Sequence, residues 1–87
     1  MFFVYVLQSL KDQKFYTGFT SNLEKRIEAH NNREVQSTKY RIPLKLIFYE
    51  AYLNEKDAIR REDYLKTAKG KRTLKMMLHE YLHEGTP

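Results

Sequence analysis

The sequence predicts an α+β domain: a three-stranded, mostly antiparallel sheet flanked by helices in the order β-β-α-β-α-α. Three observations carry this. Residues 2–8 and 14–20 are β-rich runs joined only by the polar Ser9-Leu10-Lys11-Asp12-Gln13, the pattern of a hairpin. Residues 44–52, Leu-Lys-Leu-Ile-Phe-Tyr-Glu-Ala-Tyr, form a third run of strand length and composition. The other long segments carry apolar residues at helical spacing behind capping residues. Helices laid on a three-stranded sheet are the simplest way to close a core at this length.

The first run, Met1 to Leu7, lacks a basic leader and a cleavage site. It is also far shorter than the roughly 20 residues a bilayer requires, so it reads as a strand and suggests no membrane partner. With the hairpin centred between Leu10 and Lys11, Tyr5 lies opposite Tyr16 on one face, Cβ atoms about 5 Å apart. Gly18 shares that face and is expected to leave open space beside the rings, where a ligand can approach. A helix starts at Ser21, with Ser21 and Glu24 as a capping box. Leu23, Ile27 and His30 follow one line, and Arg26 sits one turn before His30. Asn31-Asn32 ends it.

Residues 32–43 form a long polar segment, and loops of that length are usually functional or disordered. Within it, Lys39-Tyr40-Arg41 sets an aromatic between two cations, a combination suited to phosphate and base contact. Asn54 caps a second helix over 55–68, and Gly70 serves as its stop. The last helix, 71–83, has an apolar stripe of Leu74, Met77, Leu78, Tyr81 and Leu82 opposite Lys71, Arg72 and Lys75. The domain is expected over 1–83, with a flexible tail at 84–87.

With 87 residues the chain makes one domain and buries only about 60–65% of its unfolded surface, so charged residues on core-facing stripes are informative. The absence of cysteine rules out disulfides and thiolate metal sites and suits a reducing cytoplasm. A net charge of +5 favours a polyanionic partner, most simply nucleic acid.

Several residues offer phosphodiester chemistry. Arg26 supplies a planar fork for two phosphate oxygens and stays charged at any working pH. Glu62 follows Ala58 by four and precedes Leu65 by three, so it lies on an apolar stripe where an unpaired carboxylate is costly. It is either a hard-oxygen ligand for Mg²⁺ or Mn²⁺ or the ion partner of Lys66 one turn later. His30 ordinarily titrates in the range useful to a base. Tyrosine is a poor base at pH 7 unless its surroundings lower its pKa. Tyr5 and Tyr16 also read as an ordinary cross-strand aromatic pair.

Phe3-Val4-Tyr5, Tyr16-Thr17-Gly18, Arg26 and His30 on the following helix, Tyr40 in the loop and Ala58-Ile59-Arg60-Arg61-Glu62 together resemble the GIY-YIG nuclease superfamily. The likeness is to its small stand-alone branch, related to the N-terminal nuclease module of the bacterial excision-repair subunit UvrC, and spans about residues 2–80. It implies a divalent-metal-dependent endonuclease acting on DNA, in repair or recombination, with RNA left open. It makes Tyr5 a candidate base or water-positioner and Tyr16, Arg26, His30 and Tyr40 further catalytic candidates. Glu62 becomes the metal ligand. Gly18, Arg33, Lys39, Arg41, Lys69, Lys71 and Arg72 are the nucleic-acid-binding candidates. The rival reading is a non-catalytic nucleic-acid-binding module that keeps the fold. A weaker third is a protein-interaction domain docking through the last helix. A partner protein or self-association is left open as a source of added specificity.

Overall fold

In the computed structural model, which describes residues 1–84, β1 (Phe2–Ser9) lies between β2 (Phe15–Thr20) and β3 (Leu44–Tyr52), antiparallel to both. The helices are α1 (Leu23–Asn31), α2 (Glu55–Lys66), α3 (Ala68–Met77) and α4 (His79–His83). The α+β class and the three-stranded sheet are as the sequence predicts. From residue 85 onward, the expected tail lies outside the described residues.

The central strand explains why the fold closes. Val4, Tyr5, Val6 and Leu7 are all fully buried, because a middle strand is covered on both faces. Val4 and Val6 pack with Ala58 and Leu65 of α2 and Leu74 of α3. Tyr5 and Leu7 pack on the other face with Leu44, Tyr16, and Leu23 and Ile27 of α1. Burying each such side chain is worth about 1.5–3 kcal/mol, so β1 anchors two small cores at once. β1 and β3 change register between Val6 and Leu7, a local bulge.

The hairpin is one step longer than expected. Tyr5 pairs with Gly18, and Tyr16 pairs with Leu7. The turn is built on Ser9, whose Oγ accepts from the Lys11 and Asp12 backbone amides at 3.1 and 3.2 Å. This moves the centre past Lys11. Side chains repeat with a period of two, so the two-residue shift leaves Tyr5 and Tyr16 on one face.

The helix boundaries bring three corrections. Asn22, not Ser21, caps α1, its Oδ1 accepting from Lys25 N at 3.2 Å. Gly70 is no stop: it lies inside α3. Thr67 ends α2 and caps α3, its Oγ1 accepting from Gly70 N at 3.0 Å. A Cβ on Gly70 would stand 1.9 Å from the Tyr64 carbonyl oxygen, so this glycine lets α3 pack against the end of α2. The final helix begins at Ala68 and breaks at Leu78 into α3 and α4.

The long polar loop is anchored rather than loose. Val35 and Thr38 are buried beneath it. Ser9 Oγ donates to the Arg41 carbonyl at 2.6 Å, and Leu10 N to the Pro43 carbonyl at 2.9 Å, tying the loop to the hairpin. Asn31, at the end of α1, clamps the start of β3. Its Oδ1 accepts from Leu44 N at 2.8 Å, and its Nδ2 donates to Leu44 O at 3.0 Å.

Candidate active site

Tyr5, Tyr16, Arg26 and His30 converge on the face of the sheet that α1 covers. β1 and β2 present the phenols, and α1 sets Arg26 and His30 one turn apart above them. Tyr16 lies edge-on to the His30 ring at 4.9 Å, and Tyr5 does so at 5.7 Å. The two phenol rings are 6.4 Å apart.

A chain of hydrogen bonds joins the group. Tyr5 Oη is 2.8 Å from His30 Nε2, and His30 Nδ1 is 2.7 Å from Thr38 Oγ1. Arg26 Nε donates to Tyr5 Oη at 3.3 Å. These contacts accommodate the following arrangement. Tyr5 accepts from Arg26, and if it donates its own proton to Nε2, a neutral His30 carries its proton on Nδ1 and donates it to Thr38.

The electrostatics hold that arrangement in place. Burial, with the nearby Arg26 charge adding to it, drives the His30 pKa from 6.5 down to about 4. The expectation that His30 titrates near neutrality is therefore wrong: the imidazole stays neutral at pH 7. Burial also raises the Tyr5 pKa, and the Arg26 hydrogen bond only partly opposes it. The proton accordingly rests on Tyr5. The Arg26 pKa is raised, first by its bond to Tyr5, with the Tyr16 oxygen close enough to add to the effect.

Exposure separates the two phenols. Tyr5 is fully buried, whereas Tyr16 is partly exposed. Gly18 is the seat of Tyr5 rather than open space. A Cβ at Gly18 would meet Tyr5 Oη at 2.4 Å, so the expected gap beside the rings is filled by the Tyr5 ring itself.

Glu62 comes from α2, which packs on the other face of the sheet, yet its charge reaches Tyr5 and helps raise that pKa. Its side chain is 17% exposed, and its Oε2 sits 3.0 Å from Lys66 Nζ. The ion pair weighed from the sequence is thus present. The neighbouring Arg61 steadies this helix, with Nε and Nη2 on the two Glu50 oxygens at 2.8 and 3.3 Å. Among the described residues, no three His, Cys, Asp or Glu side chains gather into a metal cage. A lone carboxylate suits a hard divalent ion that keeps most of its waters. In that role Glu62 would offer the oxygen that Lys66 does not hold, or give up the pair.

The other candidates lie further out. Tyr40 is 75% exposed, with Lys39 Nζ over its ring at 5.0 Å. Arg41 is turned inward to Asp12, Nε to Oδ2 at 3.1 Å, which takes up much of its capacity for phosphate. Arg33 is exposed at φ 63°, just past the end of α1. Lys69, Lys71 and Arg72 are exposed on α3. Thr38 escaped the sequence reading altogether. It sits in a polar stretch with no periodicity, and only the fold reveals that it holds His30. Asn31 was legible only as a helix end.

Comparison with known proteins identifies the family. The family model described as the GIY-YIG catalytic domain matches residues 1–75. A UPF0213 protein of Clostridium perfringens is 40% identical over 85 residues, covering 97% of this chain and 90% of its own. One from Staphylococcus haemolyticus is 38% identical over 76 residues, covering 86% and 92%. The solution NMR structure of a UPF0213 protein from Bacillus halodurans superposes with a TM-score of 0.55 at 28% identity, covering 100% of this chain and 89% of that one. The chain belongs to the GIY-YIG catalytic-domain family, a nuclease family, within its UPF0213 group.

Proposed function

We propose that the protein is a divalent-metal-dependent endonuclease that hydrolyses DNA phosphodiester bonds. The observation that carries this is the convergence of Arg26, the Tyr5–His30 pair and the partly exposed Tyr16 on one face. Hydrolysis needs positive charge on the phosphoryl oxygens, an oriented water and an acceptor for its proton. Arg26 binds the phosphate, held at the correct angle by Tyr5. Tyr16 is the phenol that a water or phosphate can reach, so it positions the nucleophile or takes its proton. Tyr5 and His30 act through the others, as a neutral, buried brace. Glu62 holds Mg²⁺ or Mn²⁺, which supplies Lewis-acid stabilisation of the phosphate and leaving oxygen when bound. The basic surface and the lack of an evident base-reading element favour recognition of backbone and strand structure over sequence, as in repair or recombination. No helix among the described residues is long and apolar enough to cross a membrane.

The test is cleavage of labelled single-stranded, nicked, flapped and branched DNA in Mg²⁺ or Mn²⁺ and in EDTA, by wild type and Tyr16→Phe. The expected result is metal-dependent cleavage that falls about 10²–10⁴-fold in the variant, the range of a lost acid–base group. Salt-sensitive binding with no cleavage under any metal would instead support a non-catalytic binding module.

A further inference from the structure

Beside the active site runs an open groove of about 750 Å³ between β2 and the helices α2 and α3. Lys14, Lys66, Lys71 and Lys75 line it, with Phe15 and Leu82 among its apolar residues. Among the described residues, no carboxylate lines it. Lys66 already has Glu62 as its partner, but Lys14, Lys71 and Lys75 gather without a counter-charge in the lining and call for an anionic occupant. The apolar residues call for one that also has flat apolar surface.

Two residues tie the groove to the site. Tyr16 lines it and also lies edge-on to His30. Lys66 lines it and also pairs with Glu62. The groove lies on the α2 and α3 side of the sheet and borders the site at the β2 edge, where Tyr16 belongs to both. We infer that the groove holds the single-stranded flank of a nucleic-acid substrate, phosphates on Lys14, Lys71 and Lys75 and unstacked bases against Phe15 and Leu82. A single strand offers both chemistries at once. A duplex keeps its bases stacked inside and offers the groove phosphate alone. The inference deepens the nuclease reading and rests on it for the polarity of the track.

The experiment measures binding in EDTA, where nothing is cleaved. Fluorescence anisotropy of a labelled oligothymidylate and of a labelled hairpin duplex is followed against salt for three proteins. These are wild type, Lys14→Gln/Lys71→Gln/Lys75→Gln, and a control with equal charge loss, Lys25→Gln/Lys45→Gln/Lys56→Gln. All six lysines are exposed, so neither triple variant touches a core. The groove variant is expected to bind the oligothymidylate at least tenfold more weakly. Its slope of log K against log salt should fall by about 2, at roughly 0.7 per lost single-strand phosphate contact. The control should lose less than half as much, and the duplex should discriminate little between the two variants. Equal losses in the two variants would overturn the inference and assign binding to diffuse charge. So would a groove effect as large on duplex as on single strand. A protein that never cleaves can still pass this test, and one that cleaves can fail it, so the two readings fall separately.

Discussion

Acidification should destabilise this protein through His30, and the size of the effect follows from its surroundings. His30 is fully buried against Tyr5 on β1, Tyr16 on β2, Arg26 on its own helix and Thr38 from the loop. Its folded pKa is about 4, against 6.5 when free. A histidine with a lowered folded pKa binds more protons when unfolded. Its contribution is therefore complete above pH 6.5 and is lost as pH falls toward 4. The linkage relation gives a loss of about 1 kcal/mol between pH 7 and 5.5, and about 3 kcal/mol by pH 4. For a domain whose total stability is about 5–15 kcal/mol, that is a large share. The assay is urea denaturation of wild type and His30→Gln at pH 7, 5.5 and 4. Gln costs stability at pH 7, because it fits the Tyr5 and Thr38 partners less well than the ring. It should, however, remove most of the pH dependence over this range. Asp12, whose carboxyl is held low first by the Lys14 backbone amide, loses its contribution in acid in the same sense. Subtracting the variant from wild type removes that shared part. Parallel pH profiles for the two proteins would refute the reasoning. So would a His30 ring proton that titrates near 6.5 by NMR.

Two further outcomes follow from the same geometry. Gly18→Ala places a methyl against a phenol that His30 and Arg26 hold in place. It should cost about 1–3 kcal/mol in urea denaturation, the usual price of overpacking, and should release His30 toward its ordinary pKa by NMR. Lys66→Gln frees Glu62 from an exposed pair worth roughly 0.5 kcal/mol, so Mn²⁺ binding followed by electron paramagnetic resonance should tighten about twofold. Weaker Mn²⁺ binding in this variant would count against Glu62 as the ligand.

Much of this is legible in the sequence alone. The hairpin, the third strand and α1 follow from alternation and capping, and these bring Tyr5, Tyr16, Arg26 and His30 together. The shared face of the two tyrosines survived a register two residues off, because only an odd slip moves a side chain across the sheet. Other features were hidden for physical reasons. Ser9 lengthens the turn through side-chain hydrogen bonds that a hairpin pattern does not display. Gly70 resembles a helix stop, but its role is close packing on Tyr64, a tertiary fact. The neutrality of His30 depends on burial under a loop whose composition suggests exposure, and on the nearby Arg26 charge. The turning of Arg41 onto Asp12 likewise joins residues 29 apart in sequence.

The central claim is that Arg26 and Glu62 act together on a phosphodiester, and it is tested most directly by single-turnover cleavage of a flapped DNA in Mg²⁺. Wild type, Arg26→Lys and Glu62→Gln are compared from parallel preparations. Arg26→Lys keeps the charge but loses the fork, and Glu62→Gln keeps the shape but loses the anion. The account predicts metal-dependent cleavage by wild type and a fall of about 10²–10³-fold in each variant, the scale of one lost electrostatic stabiliser. Cleavage by Glu62→Gln at the wild-type rate would contradict it.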